Sequence, residues 1–103
     1  MTDADHPTAG FDDTVHQPTR LAILVILKEA RRADFGYLKK TLELTDGNLG
    51  RHLNSLEQAD LITLEKGYEG RRPRTWATLT PAGRKALDAE LREMERLIKR
   101  MHS

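Results

Sequence analysis

Residues 42–61 read LELTDGNLGRHLNSLEQADL, and the other predicted elements are arranged around this stretch. Three of its leucines recur at helical spacing: Leu49, Leu53 and Leu56. A helix that carries them has one apolar face, which must be buried against other parts of the chain. Thr45 stands just before it, where its side-chain oxygen can accept a hydrogen bond from a backbone N–H of the first turn. The sequence therefore predicts a capped amphipathic helix over residues 46–59.

A shorter amphipathic segment precedes this helix over residues 37–43, with Leu38 and Leu42 one turn apart. Only Leu44 and Thr45 separate the two helical patterns. Two helices joined so tightly cannot lie parallel, and each must bury its leucines against further elements. The stretch therefore predicts a helix, a tight turn and a second helix whose polar face is directed outward.

The outward face of the second helix carries short polar side chains and an arginine. These side chains can reach base edges and phosphates in the major groove of DNA. The candidate DNA contacts are Thr45, Asn48, Arg51, His52, Asn54 and Ser55. Arg51 is the candidate base reader, through the edge of a guanine, whereas His52 suits a phosphate contact or packing. The alternative is an amphipathic helix whose polar face is simply solvated.

The composition limits the classes of protein that this chain can be. A chain of 103 residues forms one domain with a single modest core. It has no cysteine, which excludes disulfides and thiolate metal sites. The four histidines lack a close metal-ligand spacing, so we predict no metal site. The sequence also lacks a nucleophile–base set, a phosphate-cradling glycine loop and an HExxH pattern, so we expect neither catalysis nor a cofactor.

The longest apolar run, residues 21–27, is too short to span a membrane, and we expect a cytoplasmic protein. The formal net charge of +1 is distributed unevenly along the chain. Residues 1–13 contain four aspartates and no Lys or Arg, whereas residues 66–74 contain one Lys and three Arg against a single Glu. Backbone phosphates are met by local patches, so this balance permits DNA binding without demanding it.

The chain before the helix-turn-helix divides into an arm and a first helix. Residues 1–15 combine Pro, Gly, Thr and Asp without apolar periodicity, which predicts a flexible acidic arm ahead of a domain over residues 16–103. Pro18 favours a helix start, and we predict a helix over about residues 18–30. Its centre is apolar on every side, which indicates contact with a second subunit as well as with the core. A very short strand is predicted to follow over residues 33–35.

Two segments in which apolar and polar residues alternate follow the helix-turn-helix, at residues 61–66 and 74–80. Both are rich in β-branched and apolar residues, as strands are. The intervening residues 67–73 hold two glycines and a proline, which predicts a β-hairpin with a loop at its tip. The basic residues of this hairpin are Lys66, Arg71, Arg72 and Arg74. They can reach the sugar-phosphate backbone or the minor groove while the helix lies in the major groove. The alternative is a charged loop that prevents edge strands from aggregating.

Thr80 and Pro81 open the final helix as its cap and first-turn residue. Apolar residues then recur at steps of four, three, four and three: Leu87, Leu91, Met94, Ile98 and Met101. A seam of this length pairs with another helix. Together with Leu21 and Leu24 of the first helix, it predicts a two-fold homodimer that matches a palindromic DNA site. The alternative is a single helix folded back on its own core.

Three stretches of the sequence resemble a known family. They are RLAILVILKEA, LTDGNLGRHLNSLEQADLI and KGYEGRRPRTWATLTPAGR. They resemble the small winged helix-turn-helix transcriptional regulators of bacteria and archaea related to the MarR and ArsR groups, over about residues 19–84. The resemblance implies a dimeric regulator with the helix over residues 46–59 in the major groove and the wing on the flanking backbone. Asp60 stands where the family usually has glycine, and Asp tolerates a left-handed backbone better than most residues.

We therefore predict an α+β, mainly helical fold: a winged helix-turn-helix with a two-stranded wing over residues 66–75 and a C-terminal dimerisation helix. The predicted function is sequence-specific binding of double-stranded DNA by a homodimeric transcriptional repressor, without enzymatic activity. The alternative is a winged-helix module that binds another protein and lacks specific DNA binding. No stretch of the sequence marks a pocket for a small-molecule effector.

Overall fold

The computed structural model describes residues 7–102. Within this range the elements follow in the order α1 Pro18–Ala30, β1 Arg32–Asp34, α2 Phe35–Leu42, α3 Asp46–Gln58, β2 Ile62–Glu69, β3 Arg72–Leu79 and α4 Pro81–His102. The strands form an antiparallel sheet in the order β1-β3-β2. The predicted α+β, mainly helical fold is confirmed, and β1 adds a third strand to the two strands of the wing. No helix of the described residues is long and apolar enough to cross a membrane.

The core lies between the helices and the inner face of the sheet. Every helix contributes buried aliphatic side chains to it: Ile23, Leu24, Leu27, Leu38, Leu49, Leu53, Leu56 and Leu87. The leucines that predicted α3 therefore form its buried face. Leu24 and Leu87, which we predicted to contact a second subunit, are 0% exposed within the single chain. That part of the predicted interface is wrong, because the domain's own core already covers both side chains.

Side-chain caps set the boundaries of α2 and α3. Asp34 caps α2 by accepting a hydrogen bond from the backbone N–H of Tyr37 at 2.6 Å. The helix therefore begins at Phe35, which the sequence had assigned to the end of the preceding strand. Glu43 ends α2 in a left-handed conformation with φ 54°. Thr45 then accepts from the N–H of Asn48 at 3.1 Å, which confirms the predicted cap of α3. The turn between the two helices is short because each end is satisfied locally.

The wing is a longer hairpin than the sequence predicted. Pairing of β2 with β3 continues to Glu69 and Arg72, which leaves only Gly70 and Arg71 in the turn. Gly70 has φ 64°, a conformation that glycine adopts without the steric cost of a side chain. The predicted loop over residues 67–73 is therefore wrong, because a single glycine suffices to reverse the chain.

Pro73, which suggested a loop, lies inside β3. β1 pairs only with residues 76–78 of β3, so β3 has a neighbour on one side only at Pro73. Proline is tolerated where a strand lies at the edge of a sheet. The short length of β1 is therefore what makes this proline compatible with a strand.

Part of the predicted arm over residues 1–15 packs on the domain. Val15 is fully buried in the core. The backbone N–H of Asp12 donates to Glu90 Oε1 at 3.0 Å, and His16 Nδ1 lies 2.6 Å from Glu90 Oε2. Glu90 is only 2% exposed. The Asp12 N–H satisfies its Oε1, whereas its Oε2 lies beside His16 without accepting a hydrogen bond from the described residues. The domain therefore begins before the predicted boundary, and the first six residues of the arm lie outside the described range.

The start of α4 rests directly on the backbone that follows α3. Asp60 adopts the left-handed φ of 65° that was expected for the glycine-like position. Its carbonyl accepts a hydrogen bond from the Thr80 hydroxyl at 2.6 Å, and that same hydroxyl oxygen accepts from the N–H of Gly83 at 2.8 Å. A Cβ atom at Gly83 would overlap the carbonyl oxygen of Leu61. Only glycine allows the helix to approach the chain so closely.

We expect Gly83→Ala to lower the free energy of unfolding by about 1–3 kcal/mol, since α4 must move away from Leu61 to admit a methyl group. Gly47→Ala in α3 is the matched control, because a Cβ there meets nothing within 4 Å. It should raise the free energy of unfolding by about 0.5–1 kcal/mol through helix propensity. Urea denaturation followed by circular dichroism measures both. Equal stability of the two variants would contradict the close contact.

Candidate nucleic-acid interface

The face of α3 opposite its leucines is open to solvent. Thr45, Asn48, Arg51 and Asn54 are exposed, whereas Ser55 and His52 are half-buried. Two further residues share the face and were missed by the sequence analysis. Gly47 and Gln58 are exposed and continue the helical steps that contain Arg51 and Asn54. Helical periodicity alone could have identified both of them.

Two glycines in α3 have no packing role in the folded chain. A Cβ atom at Gly47 or at Gly50 would meet nothing within 4 Å. Each glycine inside a helix costs about 0.5–1 kcal/mol relative to alanine. Among the described residues, no close packing contact requires a glycine at either position. What the missing side chains provide is room for another molecule to approach the backbone of α3.

The tip of the wing presents free positive charge. Arg71 and Arg72 are exposed, and neither forms an ion pair with any residue in the range 7–102. Lys66 is also exposed, further from the tip on β2. These side chains can therefore bind an anionic partner without first breaking an ion pair within the described residues.

Arg74 differs from the other wing arginines. Its Nη1 lies 2.5 Å from Oδ2 of Asp34, its Nη2 lies 3.7 Å from Glu69 Oε1, and its side chain is only 27% exposed. Asp34 also caps α2, so this ion pair joins the base of the wing to the start of the helix-turn-helix. The geometry favours a structural role for Arg74 over the predicted contact with the DNA backbone or the minor groove.

His52 points towards α1 rather than outward. Its Nδ1 accepts a hydrogen bond from Nε–H of Arg20 at 3.3 Å. Desolvation by burial lowers the pKa of His52, and the positive charges of Arg20 and Arg51 lower it further. Both effects favour the neutral form of the imidazole. No local sequence pattern indicates this contact, since Arg20 and His52 are 32 residues apart along the chain.

Trp76 lies on the outer face of the sheet, where the guanidinium of Arg32 is 4.2 Å from the centre of its ring. This cation–π contact covers part of the indole ring. Among the described residues there is no group of three or more His, Cys, Asp or Glu placed to hold a metal ion.

The seam predicted on α4 becomes more exposed along the helix. Leu91 and Met94 are half-buried, as is Leu21 of α1. Ile98 is 53% exposed and Met101 is 74% exposed. The apolar stripe thus continues beyond the part of α4 that the core covers.

Comparisons with known proteins agree with this architecture. Residues 19–98 match the family model described as a winged helix DNA-binding domain. The chain is 36% identical over 80 residues to the uncharacterised protein MJ0432 of Methanocaldococcus jannaschii, covering 78% of this chain and 87% of that protein. It superposes on a transcriptional regulator homologue from Pyrococcus horikoshii with a TM-score of 0.84, 29% identity and 98% coverage of both chains. A probable transcriptional regulator from Pseudomonas aeruginosa shares the fold, with a TM-score of 0.72, 24% identity and coverage of 90% of this chain and 68% of that one.

We expect Arg74→Ala to lower the free energy of unfolding by about 1–3 kcal/mol, because it leaves the largely buried carboxylate of Asp34 without its ionic partner. Arg71→Ala, which removes an exposed and unpaired arginine, should change it by less than about 0.5 kcal/mol. Urea denaturation of the two variants measures the difference. A stable Arg74→Ala protein would show that the ion pair with Asp34 contributes little.

Proposed function

This chain belongs to the winged helix DNA-binding domain family, and from that premise we propose that it is a sequence-specific regulator of transcription. Proteins of this family bind double-stranded DNA rather than catalyse reactions. The observation that carries the proposal is the combination of an open, glycine-containing face on α3 with two arginines at the wing tip, Arg71 and Arg72, that form no ion pair within residues 7–102. We propose further that the protein acts in the cytoplasm as a homodimeric repressor.

α3 would lie in the major groove, which is about 12 Å wide and accommodates one helix. Gly47 and Gly50 allow the backbone of α3 to approach the bases closely. Arg51 would read a guanine through its O6 and N7 acceptors, and Asn54 would read an adenine through its N6 and N7 atoms. Gln58 has the same chemistry as Asn54 and lies one turn further on.

The remaining side chains of α3 flank this central row. Asn48 and Ser55 would contact bases or phosphates at the sides of the groove. Thr45 already accepts the hydrogen bond that begins α3, and its hydroxyl proton would be free for a phosphate oxygen.

The wing would contact the DNA backbone or the minor groove beside α3. Arg71 and Arg72 are placed for this at the turn, and Lys66 would add a further positive charge on β2. Arginine suits a narrow minor groove, where the electrostatic potential is most negative. Arg74 is left out of this set because Asp34 already binds its guanidinium.

Dimerisation would use the exposed end of the α4 seam. Ile98 and Met101 leave apolar surface in water, and Leu91 and Met94 extend that surface towards the domain. Pairing of this seam with a second copy would remove the apolar surface from water. A two-fold dimer would place two α3 helices on half-sites about one turn of DNA apart, and repression would follow from covering a promoter.

We expect Arg51→Ala to lose discrimination between the protein's own upstream DNA and a scrambled duplex by about 1–3 kcal/mol, since Arg51 would read a base. Arg72→Ala should weaken binding to both duplexes alike and reduce the salt slope by about one, since it would meet a phosphate. Fluorescence anisotropy across a salt series measures both quantities.

Lys85→Ala, which removes one exposed positive charge from α4, is the control for charge alone. An Arg51→Ala variant that kept the wild-type ranking of the two duplexes would contradict base reading. Wild-type protein that bound neither duplex at low salt would contradict DNA binding and favour a protein-docking module.

We expect Ile98→Glu to shift the protein from dimer to monomer in sedimentation velocity, because it places a charge in the proposed seam. Lys99→Glu introduces the same side chain on an exposed position outside the seam and should leave the dimer intact. A wild-type protein that sedimented as a monomer at all concentrations would exclude the dimer.

A further inference from the structure

One hydrogen bond joins the first helix to the side of the helix that is proposed to read DNA. The Nε–H of Arg20 in α1 lies 3.3 Å from Nδ1 of His52 in α3. A guanidinium can only donate, so the ring nitrogen that faces it must carry a lone pair. His52 is therefore a neutral imidazole, with its proton on Nε2.

Arg20 is itself held in place by the chain that precedes it. Its backbone N–H donates to the side chain of Gln17 at 2.8 Å, and its Nη1 donates to the carbonyl of Thr14 at 3.3 Å. The segment that contains Thr14 is anchored on α4, through the bond from Asp12 N–H to Glu90. The guanidinium thus bridges a fixed backbone carbonyl and α3.

The position of this contact on α3 matters for DNA recognition. His52 lies next to Arg51 in sequence, on the flank between the buried leucines and the outward face. A bond at that flank resists rotation of α3 about its own axis. Recognition side chains must be held within about 0.5 Å of their productive positions, and rotation of the helix would displace Arg51 and Asn54 together.

We propose that Arg20 is a positioning residue for DNA recognition: by donating to Nδ1 of His52 it sets the orientation of α3, while His52 serves as an acceptor rather than as a DNA contact. This role rests on the proposed function. It differs from the predicted role of His52, in which the imidazole itself would contact DNA.

Two substitutions of His52 separate the roles of its two nitrogens. His52→Asn places an amide oxygen near the site of Nδ1, where it can still accept from Arg20. His52→Gln places its amide near the site of Nε2 and removes the acceptor from the Nδ1 position. Arg20→Lys keeps the positive charge but loses the fork that reaches His52 and Thr14 together.

The experiment compares binding of wild-type protein and these variants to its own upstream duplex and to a scrambled duplex, by fluorescence anisotropy across a salt series. We expect His52→Gln and Arg20→Lys each to lower the preference for the upstream duplex about tenfold, on the scale of one hydrogen bond to a charged group. The salt slope should not change, since no phosphate contact is lost. His52→Asn should retain the preference within about threefold, and the double variant Arg20→Lys/His52→Gln should lose no more than either single variant.

The opposite ranking would overturn the proposal. If His52→Asn lost the preference and His52→Gln kept it, His52 would contact DNA through Nε2. If Arg20→Lys bound like the wild type while Arg20→Gln had a lower salt slope on both duplexes, Arg20 would be a phosphate contact.

Acidification gives a second test with a defined sign. The charged groups that face His52 are Arg20 from α1 and Arg51 on its own helix, and together with burial they lower the pKa of His52. Protonation of Nδ1 removes the acceptor and places two cations side by side. The preference for the upstream duplex should therefore be constant near neutral pH and fall as the pH drops below the ordinary histidine pKa of about 6.5. The His52→Asn protein should not show this fall, whereas a direct phosphate contact by His52 would make wild-type binding tighter in acid.

Imidazole nitrogen chemical shifts of the free protein test the contact without DNA. We expect a lone pair on Nδ1 and a proton on Nε2 of His52 in the wild type, and a mixture of tautomers in Arg20→Lys. A wild type with these shifts but with no preference between duplexes would remove the proposed function, and the positioning role with it, while the contact itself stood. A wild type that preferred its upstream duplex but carried the proton on Nδ1 would overturn the positioning role alone.

Discussion

Burial of one leucine face on α3 sets the orientation of that helix and, through it, the placement of the polar side chains. Leu49 and Leu56 are completely enclosed, and Leu53 nearly so. Because successive side chains of a helix turn by a fixed angle, enclosing these three leaves Arg51 and Asn54 on the solvent side. The packing of the core thus determines which side chains of α3 face solvent. Removal of the leucines from water is the main favourable term that holds the helix in this orientation. The open face of α3 is a consequence of packing as much as of its own composition.

A second set of constraints fixes the wing and α4 relative to α3. The chain leaves α3 at Asp60, which has a left-handed backbone conformation. Gly83 of α4 then packs against the backbone carbonyl of the next residue, Leu61. Arg74 and Asp34 close the opposite side, where the wing meets the start of α2. These contacts connect α3, the wing and α4 within one packed domain. A DNA duplex would therefore meet two surfaces whose spacing is set before binding, which reduces the conformational entropy lost on association.

The arginines of this chain show how the same side chain takes different roles according to what lies beside it. Arg71 and Arg72 lie at a tight turn and form no ion pair within residues 7–102, which leaves their charge available to an anionic partner. Arg74 lies two residues further along β3 and forms an ion pair with the carboxylate of Asp34. Arg20 donates hydrogen bonds to the imidazole of His52 and to the backbone carbonyl of Thr14. Position in the fold separates charge that is available for DNA from charge that organises the domain.

The order and type of the elements could be predicted from the sequence, because leucine periodicity, caps and alternation are local signals. They placed α1 and α3, the Thr45 cap, the hairpin, and the exposed polar residues of α3. Three outcomes required the folded structure. Leu24 and Leu87 belong to the domain's own core, Asp12 and Val15 pack on the domain, and Arg74 and His52 have partners within the chain. The physical reason is that each of these outcomes depends on which residue from a distant part of the chain comes to lie alongside. A pattern within one segment reports the direction of a side chain, whereas its partner is set only when the segments pack together.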